Sequence, residues 1–343
     1  MKIKSILITG GCGFVGSSLS EYFHKKNYIV LSVDNLSRKG SYLNYQRLKK
    51  IGIKNIKIDV SKKKNLNKIP KSDLIIDCCA ETSVEVSKKD SQKVFNTNLI
   101  GTLNILEKCK NDQSKIIFLS TSRTYSLKYL NKIIRNKEIN KPIKIKKTID
   151  IEFNTLEAKT FYGYTKFASE QLIKEFSYLY KIKYIINRCG VISGPWQFGK
   201  IDQGFVSLWV WNHIKKKNIS YIGYGGHGHQ VRDILHVNDL CKLLYLQVKN
   251  FNRINNITLA VGGGAKNSIS LFGLTKLCNK ITNFKIKIKK ISRTSNYDIP
   301  YFVSSIKKVR KIYNWIPEKN INNIVNDVYE WQKKNINILK KYF

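Results

Sequence analysis

The feature that most constrains this chain lies at its start. Thr9-Gly10-Gly11-Cys12-Gly13-Phe14-Val15-Gly16 follows the apolar run Ser5-Ile6-Leu7-Ile8 and precedes a helical pattern from Val15 to Lys25. Glycines at such a strand-to-helix junction let the backbone turn tightly and approach an anion, and the helix start offers it free N–H groups. The spacing is G-x-x-G-x-x-G. A second apolar run, Tyr28 to Val33, ends at Asp34, placing a carboxylate where a ribose 2′-hydroxyl would lie. The turn and Asp34 together predict a dinucleotide site.

The rest of the first half repeats this alternation. Apolar runs at Ile56–Val60, Leu74–Cys79, Lys115–Ser120 and Tyr184–Arg188 are separated by helical patterns at Asn98–Cys109 and Lys166–Leu179. Continuous apolar strands between helices predict a parallel sheet covered on both faces. The expected fold is therefore α/β, a Rossmann-type doubly wound parallel sheet. A smaller, interleaved α/β substrate-binding domain follows from the weaker alternation after Arg188. The expected boundaries are 1–187 and 235–262 for the nucleotide-binding domain, and 188–234 and 263–343 for the other.

Within the first domain, Gly10, Gly13, Phe14, Val15 and Gly16 are expected to line the coenzyme. Asp34 repels a 2′-phosphate and favours NAD; Arg38 is the counter-signal, either a 2′-phosphate ligand or a residue reaching an anionic neighbour. Asp59 and Val60 end the third strand and Cys79, Ala80 and Glu81 the fourth, where contact with the coenzyme competes with ordinary loop packing.

Tyr162 and Lys166 are spaced i, i+4 and so share a helix face, whereas Tyr164 lies on another. A neighbouring ammonium favours the phenolate of a tyrosine, whose ordinary pKa is near ~10. Such a phenolate can take a hydroxyl proton as hydride leaves the same carbon. Thr121, ending the fifth strand, could hydrogen-bond the same oxygen.

These residues resemble the extended short-chain dehydrogenase/reductase family, the NAD-dependent epimerases and dehydratases of nucleotide-sugars. The resemblance spans nearly the whole chain and includes Asn98 in Asn98-Leu99-Ile100-Gly101-Thr102 and the late Trp315-x-Pro317. It implies that Thr121, Tyr162 and Lys166 form the catalytic triad and that Asn98, Tyr162 and Lys166 also meet the coenzyme. Dehydratases of the family carry Asp-Glu after the catalytic threonine. Here Ser122 and Arg123 stand there, and a guanidinium is no base at ordinary pH.

The long interval between Thr121 and Tyr162, the segment Asp34-Asn35-Leu36-Ser37-Arg38-Lys39-Gly40, and the segment from Arg188 to Gly204 resemble the branch that inverts C2 of CDP-linked deoxyhexoses. That resemblance adds Asn35 and Ser37 to the coenzyme contacts. It gives Thr121, Ser122, Arg123, Arg188, Gln203, Arg232 and Arg293 as substrate contacts, with Asp298 following Arg293. It further implies a CDP-linked deoxyhexose as substrate, a role in lipopolysaccharide O-antigen biosynthesis, and a homo-oligomer, dimer or tetramer. Another 4-epimerase or reductase of the family, and a non-catalytic NAD-binding regulator, are the alternatives.

Composition excludes less than it suggests. The formal net charge is +39, from 62 Lys and Arg against 23 Asp and Glu. The basic residues are spread along the chain rather than gathered in one arm, and no nucleic-acid-binding motif accompanies them, so no nucleic-acid partner is expected. Seven cysteines without a C-x-x-C pair point to reduced thiols. Of His227, His229 and His236, the first two lie in a Gly-rich loop without carboxylate or thiol partners at useful spacing, so no metal is expected. Trp196, Trp209 and Trp211 could pack on a base or in the core. No apolar stretch suits membrane insertion, and a cytoplasmic place is expected.

Overall fold

A computed structural model describes residues 2–134, 141–145, 147–200 and 203–343. Among the described residues thirteen strands run in chain order: β1 Ser5–Thr9, β2 Ile29–Asp34, β3 Lys54–Lys57, β4 Leu74–Asp77, β5 Lys115–Thr121, β6 Tyr184–Cys189, β7 Val191–Ser193, β8 Ile219–Ile222, β9 Val231–His236, β10 Ile257–Val261, β11 Ser268–Ser270, β12 Ile288–Ile291 and β13 Tyr301–Phe302. Seven of them form the central sheet in the order β10-β6-β5-β4-β1-β2-β3. The pairs β1–β2, β2–β3, β1–β4 and β4–β5 are parallel.

The apolar runs explain the sheet. Ile6, Leu7, Ile8, Leu74, Ile75, Ile76, Ile116, Ile117 and Phe118 are all fully buried, which requires helices on both faces. The chain moves outward from β1 to β3, then returns to place β4 on the other side of β1. Strand order therefore reverses between β1 and β4, and an open α/β sheet has its crevice at the carboxyl ends of such strands. Thr9 and Asp77 end these two strands, and the Thr9 hydroxyl donates to Asp77 Oδ1 at 2.5 Å.

The chain forms two compact units. The first comprises Met1–Thr124, Phe161–Arg188 and Leu240–Leu259; the second comprises Tyr125–Thr160, Cys189–Asp239 and Ala260–Phe343. The expected boundaries assigned Tyr125–Thr160 to the first unit, and the structure corrects this. Tyr125, Leu130 and Ile149 are buried with Ile299 and Phe302, so the segment takes its core from the far end of the sequence. The second unit also holds a small sheet in which β9 pairs with β7, β11 and β13, and the pair β8–β12. Its core gathers Val206, Trp209, Ile234, Leu274, Ile324 and Val328.

Local differences have local causes. The helix expected over Asn98–Cys109 begins as a π-helical turn, Asn96–Ile100, and becomes α-helical over Gly101–Asp112. The third strand ends at Lys57, short of Asp59 and Val60. The helix bearing Tyr162 starts at Phe161, earlier than the apolar pattern alone showed, and runs to Tyr180.

Candidate functional site

The Gly turn is built as its residues require. Gly10 has φ 60°, the left-handed region that favours glycine. A Cβ on Gly16 would lie 2.1 Å from the Gly10 carbonyl oxygen, so the first helical turn and the loop pack backbone to backbone. Gly13 precedes helix Phe14–Lys25 and provides no side-chain cap. Phe14 and Val15 are partly buried beside it. Cys12, inside the turn, is a packing residue: its thiol is fully buried and faces Asn55 Oδ1 at 3.3 Å. Burial pushes that thiol up to about 12.

Asp34 ends β2 next to the turn. Its Oδ2 accepts from the Cys12 amide at 3.0 Å and its Oδ1 from the Leu36 amide at 2.8 Å. Burial raises its pKa, and the backbone donors of Leu36 and Cys12 pull the other way. Asn35 accepts from the Ser37 amide at 3.0 Å, shaping the loop. Arg38 does meet an anionic neighbour: its guanidinium lies 3.1 Å from Glu81 Oε1 and 3.3 Å from Thr82 Oγ1. Asp59 closes its own turn by accepting from the Ser61 amide and hydroxyl, at 3.0 and 2.7 Å. Val60 is buried, and its carbonyl accepts from Asn104 at 2.9 Å. Cys79 and Ala80 follow β4, partly exposed.

Asn98 is fully buried in the π-helical turn. Its Oδ1 accepts from the Glu81 amide at 2.8 Å. Its Nδ2 donates to the Glu81 carbonyl and the Thr165 hydroxyl, each at 3.0 Å. Both its N–H donors and its Oδ1 are engaged within the protein, so it positions the loop after β4 and the helix Phe161–Tyr180. Single-turn π-bulges recur at functional sites, and this one turns an asparagine to face two elements at once.

Tyr162, Lys166 and Glu170 lie at successive i, i+4 positions of helix Phe161–Tyr180. That helix packs against β5 and the turn Ser122–Thr124, so Thr121, Ser122 and Arg123 belong to the same region. Thr121 Oγ1 accepts from the Arg123 amide at 3.2 Å. Tyr162 is partly exposed, while Lys166 is 1% exposed, with Nζ 3.8 Å from the centre of the Phe118 ring. Burial lowers the lysine's pKa, and Asp77, Cys79, Cys78 and Glu170 oppose that by favouring its charge. Tyr164, the rival phenol, is 51% exposed and faces away.

Arg188 departs from expectation. It is buried, with Nη2 2.7 Å and Nε 3.1 Å from Glu170 Oε2, and Glu170 also accepts from the Ser120 hydroxyl. A fork-on-carboxylate pair of this kind locks β6 to the helix beneath Tyr162. Its charge is matched by Glu170, so the structure corrects its assignment from substrate contact to internal support. Asp77 is the other residue that sequence reasoning missed. It is buried, accepts from Thr9, the Cys79 amide (3.2 Å) and Thr102 (3.3 Å), and is the leading anion felt by Lys166. Its only sequence signal was a carboxylate inside an apolar strand.

In the second unit, Arg232 on β9 donates to the carbonyls of Val231 (2.9 Å) and Ile299 (2.7 Å) and lies 3.2 Å from Asp298 Oδ1. Asp298 thus partners Arg232; Arg293, with which it was grouped, is exposed. Gln203 pairs through its backbone with Lys200, whose amide reaches its carbonyl at 2.6 Å. Ile201 and Asp202, between them, lie outside the described residues. The tryptophans pack internally: Trp196 lies 5.4 Å from Trp331, Trp211 stacks at 4.8 Å on Phe343, and Trp209 donates to Thr275 at 3.0 Å. His236 Nδ1 accepts from the Asn238 amide at 3.1 Å. No cluster of three or more His, Cys, Asp or Glu suited to a metal occurs among the described residues, nor any helix long and apolar enough to cross a membrane.

Comparison with known proteins gives a consistent result. Residues 6–262 match the model of the NAD dependent epimerase/dehydratase family. The chain is 28% identical over 338 residues to the CDP-paratose 2-epimerase of Salmonella typhi, covering 95% of this chain and 98% of that one. It is 26% identical to the UDP-glucuronate 4-epimerase of Thermodesulfobacterium geofontis, covering 97% and 98%. Among solved structures, the UDP-glucose 4-epimerase of Thermotoga maritima superposes with a TM-score of 0.82 at 22% identity, covering 97% and 99%. The UDP-glucuronic acid 4-epimerase of Bacillus cereus, solved with UDP-glucuronic acid and NAD, gives 0.80 at 22%, covering 96% and 99%.

Proposed function

The chain belongs to the NAD dependent epimerase/dehydratase family, and from that premise we propose that it inverts C2 of a CDP-linked deoxyhexose, converting CDP-paratose to CDP-tyvelose through a transient 2-ketone. The residues present fit the coenzyme. Gly10 and Gly16 let the turn and the first helical turn pack backbone to backbone, the helix start at Phe14 has no side-chain cap, and Asp34 offers a carboxylate beside it. Bound NAD supplies a reversible acceptor of hydride.

The chain's own residues handle the proton and the orientation. Tyr162, on the exposed end of its helix face, takes the proton from the C2 hydroxyl and returns it when the ketone is reduced on its opposite face. Lys166, one turn below, holds positive charge that stabilises the phenolate. Thr121 hydrogen-bonds the same oxygen and fixes the reacting carbon. Glu170, held by Arg188, keeps the lower part of this face rigid. In the second unit Arg232, whose fork is held by two carbonyls and Asp298, is assigned to the substrate diphosphate, with Gln203 and Arg293 as further substrate contacts of that unit.

The observation that carries the reading is the Tyr162–Lys166 face beside Thr121 with Ser122 and Arg123 following. The Asp-Glu pair that dehydratases use to expel water is replaced there by Ser and Arg, while Tyr162, Lys166 and Thr121 are residue types suited to moving a hydroxyl proton. The choice of C2 and of cytosine is supported by the full-length similarity to the Salmonella typhi protein. Incubating the purified protein with CDP-paratose in heavy water tests it. The expected product is inverted at C2 and carries no solvent deuterium there, because the hydride is returned rather than exchanged. Inversion at C4 of a UDP-hexose, with CDP-paratose untouched, would overturn it.

A further inference from the structure

The pairing of Arg38 with Glu81 joins two loops separated by forty-three residues, one after β2 and one after β4. As a stabilising element it is minor, since the Arg38 side chain is 42% exposed and such pairs are screened by solvent. Its location is more telling. Arg38 lies four residues beyond Asp34, where an arginine accommodates the 2′-phosphate of NADP in dinucleotide folds. In this chain that cation is already engaged.

Glu81 is unusually well held for this purpose. Asn98 bonds both its amide, at 2.8 Å, and its carbonyl, at 3.0 Å. Its Oε1 also accepts from the Ser83 amide at 3.1 Å. The main chain of Glu81 is therefore held on both sides and its carboxylate is tied to the Ser83 amide, while Arg38 is the more exposed partner of the pair. The surrounding charge makes such a device useful. A chain of formal net charge +39 attracts the more anionic of two coenzymes, so discrimination against a 2′-phosphate must come from local carboxylates.

We infer that Glu81 is a second determinant of coenzyme choice beside Asp34: it holds Arg38 as an ion-pair partner and denies a 2′-phosphate its cation. Glu81→Gln keeps an acceptor for the Ser83 amide and leaves the Asn98 bonds to the main chain intact, while removing the charge that retains Arg38. The purified protein is incubated with equal concentrations of NAD and NADP until the bound ratio is constant, then desalted, and the released nucleotides are quantified by mass. Glu81→Gln raises the NADP-to-NAD ratio about tenfold over the unsubstituted protein, the scale of one charge-assisted phosphate contact. Adding Arg38→Ala erases the gain. Glu81→Ala serves if the glutamine variant does not fold. An unchanged ratio in a folded variant, or a gain that survives Arg38→Ala, overturns the inference. The readout is nucleotide binding, so it is independent of which sugar is turned over.

Discussion

Asn98 donates to the Thr165 hydroxyl at 3.0 Å, and that hydroxyl donates in turn to the carbonyl of Tyr162 at 2.9 Å. A buried amide in a π-helical turn thereby reaches the first turn of the helix that carries the proposed proton acceptor. Asn98→Ala leaves the Glu81 amide and carbonyl without their partner. Stability falls by about 2–4 kcal/mol, from several lost hydrogen bonds and the exposure of unmatched polar groups. Turnover falls more than coenzyme retention does. Chemical denaturation and a kcat measurement on the same preparation check both parts.

Tyr162→Phe removes one oxygen from a partly exposed position. The fold and the bound coenzyme are retained, and kcat drops by about 10²–10⁴, the range for loss of a general acid–base group. Mass analysis of the retained nucleotide, with the melting temperature, distinguishes this from misfolding. Tyr164→Phe, at the exposed neighbour, leaves the rate unchanged.

Arg188→Leu strands the Glu170 carboxylate in the interior. Breaking one side of a buried ion pair costs about 3–5 kcal/mol, whereas replacing both partners by apolar residues is far milder. Arg188→Leu combined with Glu170→Leu therefore recovers much of the lost stability, measured by urea denaturation. A raised KM in Arg188→Leu with stability untouched would show instead that the guanidinium serves the substrate.

Asp233, on β9, gives a pH test. It is 1% exposed and accepts from the Gly264 amide at 3.0 Å; burial pushes its carboxyl up to about 6. A carboxyl whose folded pKa exceeds its unfolded value binds more protons when folded, so stability falls as pH rises from about 4 to about 6. Asp233→Asn removes this component. The slope of unfolding free energy against pH in that window becomes more positive in the variant, as read from denaturation series at fixed salt.

The parts of the molecule legible in the sequence are those whose information is local. The Gly turn, Asp34 at a strand end and the i, i+4 spacing of Tyr162 and Lys166 each follow from a few neighbouring residues. The central sheet was equally readable because its strands are continuous apolar runs. What sequence reasoning missed depends on pairing at a distance. Arg188 entered as a substrate contact through the resemblance alone, and its partner Glu170 lies eighteen residues earlier, on another element. Asp298 was grouped with Arg293 by proximity in the chain, although Arg232, sixty-six residues away, is its partner. Tyr125–Thr160 followed a Rossmann strand in sequence, and only its burial with Ile299 and Phe302 shows where it belongs.

Both units are assembled from separate stretches of the chain, and the first is finished only when Leu259 is available. A ribosome therefore emits the nucleotide-binding half incomplete, and the segment Tyr125–Thr160 emerges long before its packing partners Ile299 and Phe302 exist. Folding of the nascent chain has to wait on late-arriving pieces, a route that leaves apolar surface uncovered during synthesis. No contiguous fragment reproduces either unit, so expression of the first 190 residues alone yields an insoluble product, and a recombinant half-enzyme has to be built by joining non-adjacent segments.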